Sequence, residues 1–141
     1  MNAVELEAYD LEQVVDINTN YMGQSKSAIQ TYYDKIIEEE KVINQVNINI
    51  GRLSTLVDDA YNNVMDQNTS VSDSEYFVQA ISDANDLAKG YHDVGIQSQT
   101  NIEAYMGYIL NEYDLIEQYA NIIDQKKQEM DDLYTRYIIA T

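Results

Sequence analysis

Proline, cysteine and tryptophan are all absent from the 141 residues. Without proline, nothing in the chain removes a backbone donor from a helix interior or clashes with the preceding turn. Without cysteine there is no disulfide framework, no thiolate nucleophile and no thiolate metal ligand. Glycine is scarce, with five residues, and the only histidine is His92. Basic side chains are scarce too: 8 against 25 acidic ones, a formal charge of -17. Such a chain repels nucleic acid and anionic membrane surfaces and is drawn to basic ones. No apolar run approaches the roughly 18 residues of a membrane span. The segment Met1-Asn2-Ala3-Val4-Glu5 lacks a basic stretch followed by an apolar one. The expectation is therefore no Sec signal peptide, which leaves the cytoplasm, a virion, or export by a signal-less route.

What is present is a seven-residue repeat. Val15, Met22, Ile29, Ile36, Ile43, Ile50, Val57 and Val64 form one column; Ile81, Ala88, Gly95, Ile102, Ile109, Ile116, Ile123, Met130 and Tyr137 form another. A sustained heptad repeat predicts long α-helices with an apolar stripe to bury. Between the columns, Asp66-Gln67-Asn68-Thr69-Ser70-Val71-Ser72-Asp73-Ser74 is rich in turn formers and reads as a loop. The fold expected is all-α: an antiparallel, coiled-coil-like helical hairpin in one domain, 1–141, with helix 3–66, loop 67–72 and helix 73–139. Each helix would hold ~65 residues and span roughly 100 Å. Asn2 with Glu5, and Ser72 with Glu75, have the spacing of capping boxes that start the two helices. Asn18–Gly23 and Gly90–Thr100 have poor helix propensity, and Thr100 with Glu103 could cap a new helix. Breaks there would give four helices. The column keeps phase through both segments, which favours continuous or kinked helices, with kinks near 18–24 and 90–100.

A fold about residue 70 sets position i near position 141 minus i. The acids Glu5, Glu7, Asp10, Glu12 and Asp16 then lie opposite Lys126, Lys127 and Arg136, and Gly51 faces Gly90, where two backbones could approach closely. Between Arg52 and Lys89 every charged side chain is acidic: Asp58, Asp59, Asp66, Asp73, Glu75, Asp83 and Asp86.

With the Ile/Val column as position a, positions c and f are almost wholly polar, a solvated face. Positions e and g carry Tyr21, Tyr33, Val42, Leu56, Tyr61, Leu87, Val94, Met106, Tyr108 and Tyr113. Two helices alone bury an a/d seam, so this extra apolar width predicts packing into a multi-helix bundle. Of the 13 tyrosines, only Tyr9 and Tyr76 fall outside a, d, e and g. Tyrosine suits a half-buried contact with a wet hydroxyl. Position d is interrupted by Ser25, Glu39, Ser98, Glu112 and Lys126, polar groups that either reach water or fix register. The interface candidates are Ile29, Ile36, Ile43, Ile50 and Val57 in one helix, Ile102, Ile109, Ile116 and Ile123 in the other, and Tyr33, Tyr61, Tyr105, Tyr113 and Tyr119. The acidic loop, Asp66, Asp73 and Glu75, is the candidate docking tip for a basic protein.

The sequence points away from catalysis. Di-iron bundles need Glu-x-x-His sets, and His92 has no Glu three residues before it. There is no Gly-x-Ser-x-Gly elbow, P-loop or Gly-x-Gly-x-x-Gly. Asp66-x-Asn68-x-Ser70 begins like a calcium loop, but Val71 and Phe77 stand where Gly and Glu are required. No catalytic residue, metal site or cofactor is expected.

The pairs Tyr108/Glu112 and Tyr113/Glu117 have a spacing that resembles the export signal of the helical-hairpin substrates of type VII secretion. Those proteins carry Trp-x-Gly at the turn, which this loop lacks. In composition and shape the chain is also similar to helical hairpins of phage virions and secretion filaments. The function expected is a non-enzymatic structural part, a virion component or secretion-apparatus piece that forms a homo-oligomer or joins other subunits. The alternatives are a secreted type VII-like hairpin or adaptor of an exported toxin, and an acidic chaperone or inhibitor of a basic partner.

Overall fold

The computed structural model describes residues 2–140. It is all-α: helix α1 spans Ala3–Met65 and helix α2 spans Val71–Ala140, and the two pack antiparallel as a helical hairpin. Both segments of poor propensity are helical throughout. Side chains in them support the helix instead of breaking it. Asn18 Nδ2 donates to the Val14 carbonyl at 2.8 Å, and Thr19 Oγ1 to the Val15 carbonyl at 2.8 Å. Thr100, a candidate cap, donates to the Ile96 carbonyl at 3.0 Å and sits inside α2. The four-helix alternative is thereby ruled out.

The first cap forms as the spacing predicts. Asn2 N–H donates to Glu5 Oε2 at 3.1 Å, and Glu5 N–H to Asn2 Oδ1 at 2.8 Å, satisfying two orphan donors reciprocally. The second does not. Ser72 lies within α2, and Ser70 is the capping residue, its Oγ accepting from Asp73 N–H at 3.1 Å. Ser70-x-x-Asp73 offers the same chemistry two residues earlier, so α2 starts at Val71 and not at 73. Asp66 closes the turn: its Oδ1 accepts from Asn68 N–H at 2.9 Å and its carbonyl from Thr69 N–H at 3.1 Å.

With few bases available for ion pairs, the helices are braced by amides. Gln30 donates to Asp34, Gln45 to Asn49, Gln79 to Asp83, Gln97 to Asn101 and Gln128 to Asp132, each four residues on. Such pairs stabilise a helix by about 0.2–0.5 kcal/mol each.

The chain divides into two compact units. The terminal unit comprises the residues up to Asp34 and from Tyr105 onward; the loop unit is Lys35–Ala104. In the terminal unit Asn18, Ser25, Ile29, Ile109 and Leu133 are buried, and aromatic rings cross the seam. Tyr21 meets Tyr119 with centroids 5.4 Å apart, and Tyr32 meets Tyr105 at 6.1 Å and Tyr108 at 5.4 Å. In the loop unit the buried residues are Val46, Ala60, Ala84 and Ser98.

These positions correct the view of the stripe. Apart from Ile29 and Ile109, every buried residue in both units is at position d, and most are small or polar. The Ile/Val column at a is otherwise half-buried, beside the tightest line of contact and not on it. Ser25 and Ser98 are therefore buried instead of reaching water. No fully buried side-chain nitrogen or oxygen among the described residues lacks a partner.

Contacts in both units follow the expected register. Arg136 Nη2 lies 3.5 Å from Glu7 Oε1 in the terminal unit, and Asn101 Nδ2 donates to Glu39 Oε1 at 3.2 Å in the loop unit. Two details differ. Lys126 pairs with Glu129 on its own helix at 3.2 Å. Gly51 and Gly90 mark no close approach, since a Cβ at either would meet open space. The close glycine is Gly95, where a Cβ would stand 3.5 Å from Val46 Cγ1.

Candidate functional site

An antiparallel pair of helices leaves two flanks beside its seam, one formed by the g positions of both helices and one by the e positions. The contacts fix this assignment in each unit. In the terminal unit Tyr33 and Tyr113, both at e, share a hydrogen bond. Tyr108, at g, packs on Tyr32. In the loop unit Asn101, at g, bonds Glu39.

The sequence-based interface residues divide accordingly. Ile29 and Ile109 are buried, and Ile36, Ile43, Ile50, Val57, Ile102, Ile116 and Ile123 are half-buried beside the seam. Tyr105 and Tyr119 are half-buried and take part in the ring contacts. Tyr33, Tyr61 and Tyr113 are exposed. The Tyr33 phenol is held above its usual pKa, first by its hydrogen bond with Tyr113, then by the nearness of that second phenol, and by desolvation. The neutral O–H can donate, and ionisation would end that donation.

The interface candidates drawn from the sequence include none on the g flank, although its apolar side chains stand out there. Among its exposed members are Tyr21 and Tyr108 in the terminal unit and Val42, Leu56, Leu87 and Val94 in the loop unit. The signal that marks them is an apolar row: from Val14 to Asn63 the only ionised g residue of α1 is Lys35, and from Ala80 to Ile122 the g column of α2 holds none. Ile37, Ile48 and Ile96 are also exposed, at b and f positions, singly and without such a column. Scattered apolar side chains of that kind are ordinary surface features.

Both flanks of the loop unit carry hollows. On the g side one of about 450 Å³ is lined by Arg52, Leu56, Asp59, Ala60, Tyr76 and Phe77 among others. A second, of about 230 Å³, joins Asn49, Leu53 and Leu56 to Tyr91. A third, of about 480 Å³, joins Tyr91 to Leu87, Gly90, Val94 and Asp86. Leu56 belongs to the first two and Tyr91 to the last two, so they form one open groove. On the e side the hollows are lined by Ile43, Ile50, Ile96 and Ile102 together with Asn47, Asn85, Lys89, His92 and Gln99.

At the tip the Asp66 carboxylate accepts within the turn, Asp73 contributes its backbone N–H to the α2 cap, and Asp66, Asp73 and Glu75 are all exposed. Among the described residues no three His, Asp or Glu side chains gather as a metal site would require, and no helix is long and apolar enough to cross a membrane. No protein-family model, curated protein or solved structure matches the chain.

Proposed function

We propose that the protein is a non-enzymatic assembly component whose hairpin is completed by further helices, from copies of itself or from other subunits. One observation carries this reading: no large side chain is fully buried among the described residues, while apolar side chains at g and tyrosines at e remain about half exposed. Fully burying a side chain of this size contributes about 1.5–3 kcal/mol. A partner helix on either flank would recover roughly half of that at each position it covers. A virion or a secretion apparatus would use such a part, and the signal-less export of a hairpin remains the second reading on the strength of Tyr108/Glu112 and Tyr113/Glu117. The charge favours non-nucleic-acid partners in both cases.

The test is mass in solution by light scattering. An oligomer, or a stable complex with a co-purified partner subunit, is the expected result. A monomer that stays monomeric at high concentration and binds no such subunit sinks the proposal.

A further inference from the structure

We infer that the g-side groove of the loop unit docks a basic amphipathic helix from another protein. The inference rests on the assembly reading only in needing a helix-binding surface; it names the surface and the chemistry of its occupant. The floor is apolar and continuous: Leu56, Phe77, Tyr91, Leu87 and Val94 line adjoining hollows along both helices. A groove between two antiparallel helices is the natural seat for a third, which enters with apolar side chains three and four residues apart.

Charge selects the occupant. Asp59 and Asp86 border the groove against one base, Arg52, and between Arg52 and Lys89 the seven charged residues are all acidic. A helix with Lys or Arg along the edges of its apolar face would set those charges over the acidic rims. A second copy of this chain fits less well. It brings another charge of -17, and its eight basic residues form no stripe along one helical face. Electrostatic complementarity of this kind steers encounter and excludes like-charged partners.

The absence of tryptophan from this chain provides a clean reporter. The probe is a Leu/Lys amphipathic peptide of about 18 residues, five helical turns, with a single Trp on its apolar face. Binding to the full chain is read from the blue shift and anisotropy of that Trp. The deciding variants are Leu87→Glu and Val94→Glu, at side chains 55% and 47% exposed, so folding is retained and circular dichroism verifies it. Each adds negative charge. Unspecific attraction of a cationic peptide predicts equal or tighter binding; groove docking predicts binding weaker by about tenfold or more, as for loss of an apolar anchor. Gln99→Glu, on the other flank, should leave affinity unchanged or slightly improved.

Three outcomes overturn the inference: no binding of the probe, no loss on Leu87→Glu and Val94→Glu, or equal binding of a peptide with Ser in place of every Leu. If the probe fails to bind while Leu87→Glu lowers the mass of an oligomer, the groove belongs to a second copy. A chain that is monomeric but binds the probe in the groove would end the proposal of self-assembly and leave this one standing.

Discussion

The terminal and loop units have the same two-helix plan but fill the seam with different side chains. The terminal unit spaces its helices with rings: Tyr32, Tyr105 and Tyr119 occupy d positions, and Tyr21 and Tyr108 pack on them from g. The loop unit has only Tyr61, Tyr76 and Tyr91, and its buried positions are Val46, Ala60, Ala84 and Ser98, with Gly95 against Val46. Large side chains at a seam contribute more buried area, and truncating them leaves cavities. Small ones contribute less but permit close contact that a large added side chain disturbs. One heptad pattern thus supports two kinds of packing with opposite sensitivities.

The sharpest way to break this contrast is a pair of opposite substitutions. Leu133→Ala, in the terminal unit at a side chain only 3% exposed, should cost about 2–5 kcal/mol. Ala84→Leu, in the loop unit, should cost about 1–3 kcal/mol through overpacking. Chemical denaturation measures both. If Ala84→Leu stabilises the protein, the loop-unit seam is not tightly filled.

The loop itself comes next. Ser70→Ala should destabilise by about 1 kcal/mol through loss of the α2 cap, whereas Ser72→Ala should be close to neutral. The reverse ranking in thermal melts would return the start of α2 to the position first expected from the sequence. Gly95→Ala should stabilise by about 0.5–1 kcal/mol, because the added methyl meets Val46 at ordinary contact distance and helix propensity improves. A loss on Gly95→Ala, with gains at Gly51→Ala and Gly90→Ala, would mean the helices approach more closely at Gly95 than 3.5 Å implies.

The smallest effect belongs to the terminal unit. Tyr113→Phe should return the Tyr33 phenol toward its ordinary value near ~10, seen as an earlier rise in ultraviolet titration. The sign follows from the direction of the shift. A phenol with a raised folded-state pKa favours the folded chain while protonated, so its contribution is complete below the unfolded value and fades as pH rises through the folded one. An unchanged titration in Tyr113→Phe would remove that phenol as the cause.

Much of this was legible in the residues. The seven-residue period, the lack of proline and the Asn2/Glu5 box identify two helices and the start of the first, because each is a local property of backbone and neighbouring side chains. The antiparallel register was legible from length and confirmed by Arg136 with Glu7 and Asn101 with Glu39. Position d was harder to read. Its serines and alanines look like interruptions when the apolar column is taken as the core, yet Ala60, Ala84, Ser25 and Ser98 are among the few buried residues. The candidate surface was half legible: the excess apolar width at e and g is plain, but not how the two helices share it. Only the structure joins Leu56, Tyr91, Leu87 and Val94 into adjoining hollows across the two helices.

The sequence by itself determined that this chain is two long, acidic helices folded back on each other. Helix periodicity, capping and turn chemistry act over a few residues and need no knowledge of the partner. Only the tertiary structure decided which column lies deepest and which side chains of the two helices share a hollow. With apolar side chains at a, d, e and g, a modest rotation of either helix about its axis leaves the pattern satisfied. The rotation is set by how the volumes of one helix meet those of the other, as Gly95 meets Val46, and that pairing is not a property of either segment alone.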